Sequence, residues 1–122
     1  MASILIVEDD PLVRSSLRII LESFGHAVED AEDGTVALTM DHSSFDVVIT
    51  DILMPGISGV EFIGALRAKG FDAGIVAMSG GNRLGGVDPL EQALAAGADM
   101  AMRKPFSARE LLAALEKCTA RH

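Results

Sequence analysis

Along the chain, apolar and polar positions alternate between two periods. Short runs rich in β-branched residues stand at Ile4-Leu5-Ile6-Val7, Val47-Val48-Ile49 and Gly74-Ile75-Val76-Ala77-Met78, with weaker ones at Ala27-Val28-Glu29 and Asp99-Met100-Ala101-Met102. Such runs predict strands. Between them apolar positions recur every three or four residues, which predicts helices near 11–24, 34–43, 59–69, 88–97 and 107–120. Four helix starts carry their own signals. Asp10-Pro11 and Asp88-Pro89 place a capping oxygen ahead of a proline whose missing N–H costs nothing at the first helical position. Ser58-Gly59-Val60-Glu61 and Ser107-Ala108-Arg109-Glu110 fit the capping box, in which Ser and Glu satisfy each other's orphan backbone N–H groups.

Five repeats of strand then helix call for a parallel sheet covered on both faces, because parallel strands are joined by right-handed helical crossovers. The expected fold class is therefore α/β, a doubly wound (βα)5 sandwich around a five-stranded parallel sheet. With 122 residues and 49% hydrophobic content, the chain supports one core, and a single domain over 1–122 is expected. No linker, low-complexity segment or sequence repeat beyond the alternation is found.

Charge narrows the function. Eighteen acidic against ten basic residues give a formal charge of −8. That charge repels a nucleic-acid backbone, and no basic stripe offsets it, so no nucleic-acid partner is expected. The opening "MASILIVEDD" lacks a basic leader and turns acidic after one short apolar run, so neither a signal peptide nor a membrane span is expected. The single cysteine, Cys118, cannot form an internal disulfide and suits a reducing, cytoplasmic location, with packing as its expected role.

Candidate chemistry lies where the strands end. Glu8 and Asp9 follow the first run, Asp51 the third, Ser79 the fourth and Arg103-Lys104 the fifth. In an open α/β sheet the carboxyl ends of the strands share one edge, and ligands bind where strand order reverses. If the first and third strands are neighbours, three carboxylates converge. Two unit charges about 4 Å apart repel by roughly 4 kcal/mol at an effective dielectric near 20. Such a cluster calls for a cation, and two fit: Lys104, or a hard divalent ion such as Mg²⁺ that leaves coordination positions for water and phosphate.

The stretches "ILIVEDDPLVR", "DILMPGISG", "AMSG" and "RKPF", in this order, resemble the receiver domain of bacterial two-component response regulators, CheY-like and single-domain, over essentially the whole chain. The resemblance implies the flavodoxin-like strand order 2-1-3-4-5. It also implies that Asp51 accepts a phosphoryl group from a phosphohistidine, as carboxylate nucleophiles can. Glu8, Asp9, Asp51 and the backbone carbonyl of Leu53 would hold Mg²⁺, Lys104 would pair with a phosphoryl oxygen, and Ser79 would donate its hydroxyl to another. Lys104-Pro105 is a candidate cis peptide. The implied partners are a histidine kinase or histidine phosphotransfer protein and an unidentified downstream protein, the chain acting as a monomer or weak dimer. Its catalysis would extend only to its own phosphorylation and dephosphorylation. A phosphotransfer intermediate, or the receiver part of a longer regulator or hybrid kinase, is the alternative role.

Other residues receive plainer readings. Asp10 is read as a helix cap, and Asp30, Glu32, Asp33, Asp41 and Asp46 as turn, cap or solvated residues. Met54 is read as a core plug, and Gly59 as supplying a backbone geometry forbidden to residues with a Cβ. His26, His42 and His122 sit in no ligand-like spacing. A haloacid-dehalogenase-like phosphatase would need a second Asp where Leu53 stands. A flavin carrier would need a hydroxyl-rich loop in place of Glu8-Asp9-Asp10. The glycine-rich "SGGNRLGG", 79–86, lacks the Lys and Ser/Thr of a P-loop and reads as a mobile loop. One departure from the family pattern bears on output: Ala101 occupies a position where many receivers carry Tyr or Phe. The signal is therefore expected to leave through Ser79, the loop from Gly80 to Val87 and the fourth helix.

Overall fold

The computed structural model describes residues 2–80 and 88–120. Strand and helix alternate as β1 (Ser3–Val7), α1 (Pro11–Ser23), β2 (Ala27–Ala31), α2 (Gly34–Leu38), β3 (Val47–Asp51), α3 (Gly59–Ala68), β4 (Gly74–Ser79), α4 (Pro89–Ala96), β5 (Met100–Arg103) and α5 (Ala108–Ala120). All strand pairs are parallel, in the order β2-β1-β3-β4-β5. This is the flavodoxin-like arrangement, and order reverses between β1 and β3. Among the described residues no helix is long and apolar enough to cross a membrane.

The central strands read as continuous apolar runs because both of their faces are buried. Leu5, Val48, Ile75 and Ala77 pack with Phe62, Ile63 and Ala93 on the side covered by α2, α3 and α4. Their alternating neighbours Ile4, Ile6, Val47, Ile49, Val76 and Met78 pack with Leu17, Leu21 and Leu111 on the side covered by α1 and α5. Cys118, fully buried, belongs to this second layer, and its Cβ lies against Gly74, where any further Cβ would meet it at 2.8 Å. Its role is packing, as expected. Met54 is partly buried against the first layer.

The caps form as the sequence indicates. Asp10 accepts from Leu12 N at 2.9 Å and Asp88 from Leu90 N at 3.1 Å. Both capping boxes close, Ser58 with Glu61 and Ser107 with Glu110. Asp33 caps α2 through Val36 N, and Asp41 holds a turn through the N–H and hydroxyl of Ser43. Two boundaries differ from expectation. Helix α2 stops at Leu38 instead of running to 43, because its last carbonyls are taken by side chains. The Thr39 hydroxyl donates to Val36 O at 2.7 Å, Lys69 Nζ donates to Leu38 O at 2.9 Å, and His42 Nε2 sits 2.7 Å from Ala37 O. Strand β2 runs on to Ala31, and Asp30 is not a turn residue: from this edge strand it pairs with Arg18 Nε at 3.0 Å.

Arg67 joins the C-terminal end of α3 to the approach to β5. Its guanidinium donates to the carbonyls of Phe71, Ala73 and Gly97 at 2.8–3.1 Å and to Asp99 at 3.1 Å. Of the glycine-rich stretch 79–86, the part from 81 onward lies outside the described residues, as does His122.

Candidate functional site

Glu8, Asp9, Asp51, Ser79 and Lys104 all lie at the carboxyl edge of the sheet. The register explains their meeting. Val7 is opposite Thr50, so the residues that follow, Glu8 and Asp51, leave adjacent strands at the same height. Asp51 is opposite Met78, and Ser79, one residue on, is opposite Arg103. Lys104 continues β5, and its N–H donates to Ser79 O at 2.8 Å. The Lys104–Pro105 peptide bond is cis.

Lys104 crosses the crevice. Its Nζ donates to Glu8 Oε2 at 3.0 Å and to Asp51 Oδ2 at 3.1 Å. The second oxygens of both acids are engaged by backbone: Asp10 N donates to Glu8 Oε1 at 3.2 Å and Leu53 N to Asp51 Oδ1 at 3.3 Å. Glu8, Asp51 and Ser79 are buried, whereas Asp9 is exposed. Carboxylate oxygens of Glu8, Asp9 and Asp51 lie within 4.8 Å of one another. This all-oxygen donor set fits a hard divalent cation. Three carboxylates against one ammonium leave net negative charge for such an ion to offset, and exposed Asp9 keeps one side of the cluster open to water.

Electrostatics register the crowding. Burial, and then the charge of Asp51, raise the Glu8 carboxyl from its ordinary 4.5 to about 7, against the opposing effect of Lys104. Burial draws the Lys104 ammonium down, but its hydrogen bond to Glu8 and the charge of Asp51 outweigh this, and its pKa is raised overall. An acid whose pKa is raised by folding binds its proton more tightly in the folded state. Its contribution to stability is complete below the unfolded value of 4.5 and is lost as pH climbs through about 7. The expected loss from Glu8 is about 3 kcal/mol. Urea unfolding of metal-free protein should show the Glu8→Gln variant gaining that much on the wild type between about pH 4 and about pH 8.5. A difference that does not change with pH would show that Glu8 titrates normally.

Three contributions escape a reading of the sequence. Arg14 Nη1 donates to the Glu8 backbone carbonyl at 2.7 Å and so fixes the turn carrying Glu8 and Asp9. Its place one turn after the Asp10 cap is the only hint of this in the sequence. Arg103, read there only as a strand-end cation, pairs with Asp88 at the start of α4. Gly59 is required for a different reason from the one expected. Its φ is not positive, and the left-handed residue of this loop is Gly56, at φ 78°. A Cβ on Gly59 would overlap Asp51 O and Ile52 Cα, because α3 starts directly against the end of β3. Asp10, as read, serves as a cap and is not among the clustered acids. Ala101 is half-buried, opposite Ala77 of β4, with no ring at that position.

Residues 4–116 match the family model of the response regulator receiver domain. Among curated proteins, the chain is 40% identical over 115 residues to the response regulator MprA of Mycolicibacterium vanbaalenii, a match covering 90% of this chain and 47% of that protein. The chain thus spans about half the length of the curated relatives it matches. Among solved structures it resembles the response regulator TrrA of Thermotoga maritima in complex with Mg²⁺ and BeF, with 34% identity, TM-score 0.81 and coverage of 97% and 99% of the two chains. It also resembles the receiver domain of the sensor histidine kinase PA1611 of Pseudomonas aeruginosa, which holds a magnesium ion in its active site cleft, with 29% identity, TM-score 0.85 and coverage of 98% of each chain. With strand order, the strand-end acids and the lysine bridge all in agreement with that match, the chain belongs to the family of response regulator receiver domains of two-component systems.

Proposed function

We propose that Asp51 is the phosphoacceptor of this receiver and that the chain signals by changing its contacts with another protein. The observation that carries the reading is Lys104 Nζ, 3.0 Å from Glu8 and 3.1 Å from Asp51 at the point where strand order reverses. A carboxylate and an ammonium held this close on rigid elements support the reading, because in-line transfer needs a positioned nucleophile and a cation for the phosphoryl oxygens. An Asp51 carboxylate oxygen attacks the phosphorus of a phosphohistidine on a histidine kinase or histidine phosphotransfer protein. The O–P bond forms as the N–P bond breaks, and the imidazole leaves with the electron pair. Lys104 then pairs with a phosphoryl oxygen and Ser79 donates its hydroxyl to another. Glu8, Asp9, Asp51 and the Leu53 carbonyl would hold Mg²⁺, which when bound supplies positive charge to the transferring group. Magnesium in the two similar receivers supports this assignment.

In the proposal residues 1–122 act as one receiver domain in the cytoplasm. The length of the curated relatives also favours a second reading, in which this receiver belongs to a longer regulator or hybrid kinase. Both readings share the chemistry at Asp51. Incubation with acetyl phosphate and Mg²⁺ should add one phosphoryl group, detected by intact mass, and a chelator should prevent it. Labelling that is indifferent to chelator would overturn the assignment of the acidic cluster.

A further inference from the structure

We propose that Arg14 is a positioning residue for the acidic cluster: through the Glu8 carbonyl it sets the aim of Asp9, and Asp30 on the edge strand orients Arg14 for that task. The proposal rests on the reading of Glu8, Asp9 and Asp51 as a Mg²⁺ site.

The three acids are held unequally. Glu8 and Asp51 are buried, and each has one oxygen on Lys104 and the other on a backbone N–H. Asp9 is exposed, so its aim depends on the backbone that carries it. That backbone is pinned just ahead of it. The Glu8 N–H donates to Ala31 O at 3.1 Å, one step beyond the last β1–β2 pair, Val7 with Ala31. The Glu8 carbonyl accepts from Arg14 Nη1 at 2.7 Å. A peptide unit is planar, so the oxygen of Glu8 and the N and Cα of Asp9 turn together. With Glu8 anchored at its N–H, a fixed carbonyl fixes the direction in which Asp9 leaves the strand.

The guanidinium is itself oriented. Arg14 and Arg18 stand four residues apart on α1, where like charges repel. Asp30 offsets this with one oxygen toward each: Oδ1 lies 3.9 Å from Arg14 Nε, and Oδ2 lies 3.0 Å from Arg18 Nε. Arg18 also donates to Val28 O at 2.9 Å, which ties the group to the backbone of β2. Arg14, with 22% of its side chain exposed, thus turns Nε to the edge strand and Nη1 to Glu8.

Two effects of Arg14 on a bound cation have opposite signs. Its charge repels a second cation, so by Coulomb forces alone its removal would tighten Mg²⁺ binding. Its hold on the Glu8–Asp9 peptide spares the ion the cost of ordering Asp9, so by positioning its removal weakens binding. Outer partners that orient metal ligands are typically worth about 10–100-fold in affinity, and the lower end applies here because charge works against it.

Titration of the metal-free protein with Mg²⁺, followed by NMR at the amides of Asp9 and Leu53, reads affinity apart from phosphorylation. Arg14→Met should weaken binding about tenfold. Arg14→Lys keeps a charge and a donor but not the planar fork, and should weaken it about threefold. Asp30→Asn should weaken it about twofold, the scale of a partly exposed ion pair, and should have no effect once Arg14→Met is present. Unchanged or tighter binding by a folded Arg14→Met protein would overturn the proposal and leave Arg14 a purely structural contact. An equal effect of Asp30→Asn in both backgrounds would overturn the part assigned to Asp30. If Arg14→Met does not fold, Arg14→Lys and Asp30→Asn carry the test, and wild-type affinity in both overturns the proposal. A wild type that binds no Mg²⁺ would instead overturn the reading of the acidic cluster, and this proposal with it.

Discussion

Asp51→Asn protein is expected to take up no phosphoryl group from acetyl phosphate in Mg²⁺ while remaining folded. Asparagine has the shape of aspartate and keeps an oxygen for the Leu53 N–H, now 3.3 Å from Asp51 Oδ1. It lacks the anionic oxygen that the proposed transfer requires. The fold survives because the substitution also removes one of three crowded carboxylates, and Lys104 retains Glu8 at 3.0 Å. Intact-mass labelling and a thermal melt, run on the same sample, check both halves. Undiminished labelling of a well-folded variant would move the acceptor to another acid, for which Glu8 and Asp9 are the nearest candidates.

The second large effect is expected at Gly59. Its N–H donates to Ile52 O at 2.8 Å, so the first turn of α3 is bonded directly to the residue after Asp51. A Cβ there would run into backbone on both Asp51 and Ile52. Side chains can rotate away from an intruding methyl group, but the end of a central strand cannot. Gly59→Ala should therefore cost about 3 kcal/mol or more, at the upper end of overpacking effects. It should also slow labelling, because the displaced atoms include the backbone of Asp51. Gly64, one turn and a half further along α3, is the internal control. A Cβ at Gly64 meets nothing within 4 Å, so Gly64→Ala should stabilise the helix by about 0.5–1 kcal/mol. Urea unfolding of the two variants reads both signs. If both substitutions proved neutral, the close contact between α3 and β3 would be refuted.

The two cases show how unevenly sequence and structure share the account. The motif "DILMPGISG" marks Asp51 and shows that the chain turns tightly after it. It also shows that a residue without a Cβ is wanted at 59. The reason is not visible there, since a positive φ and a close approach both ask for glycine. The structure divides these roles between Gly56 and Gly59. Helix α2 is similar: the periodicity of its apolar residues extends past Leu38, yet Lys69, 31 residues away, takes the Leu38 carbonyl.

By itself the sequence determined what depends on near neighbours. Strand and helix order follow from periodicity, helix starts from residues two or three positions apart, and the acidic edge from which residues follow each apolar run. Parallel pairing then followed from the handedness of crossovers, with no distant contact needing to be known. Only the tertiary structure decided what depends on groups far apart along the chain. Lys104 and Glu8 are 96 residues apart, yet their contact neutralises half of the buried acid pair. Asp88 and Arg103, 15 apart, tie α4 to β5, and Arg14 holds the Glu8 turn from the next helix. The raised pKa of Glu8 belongs to the same class, because burial and the charge of Asp51 act through space. Coulomb and steric terms depend on distance after folding, and one sequence separation is compatible with many such distances.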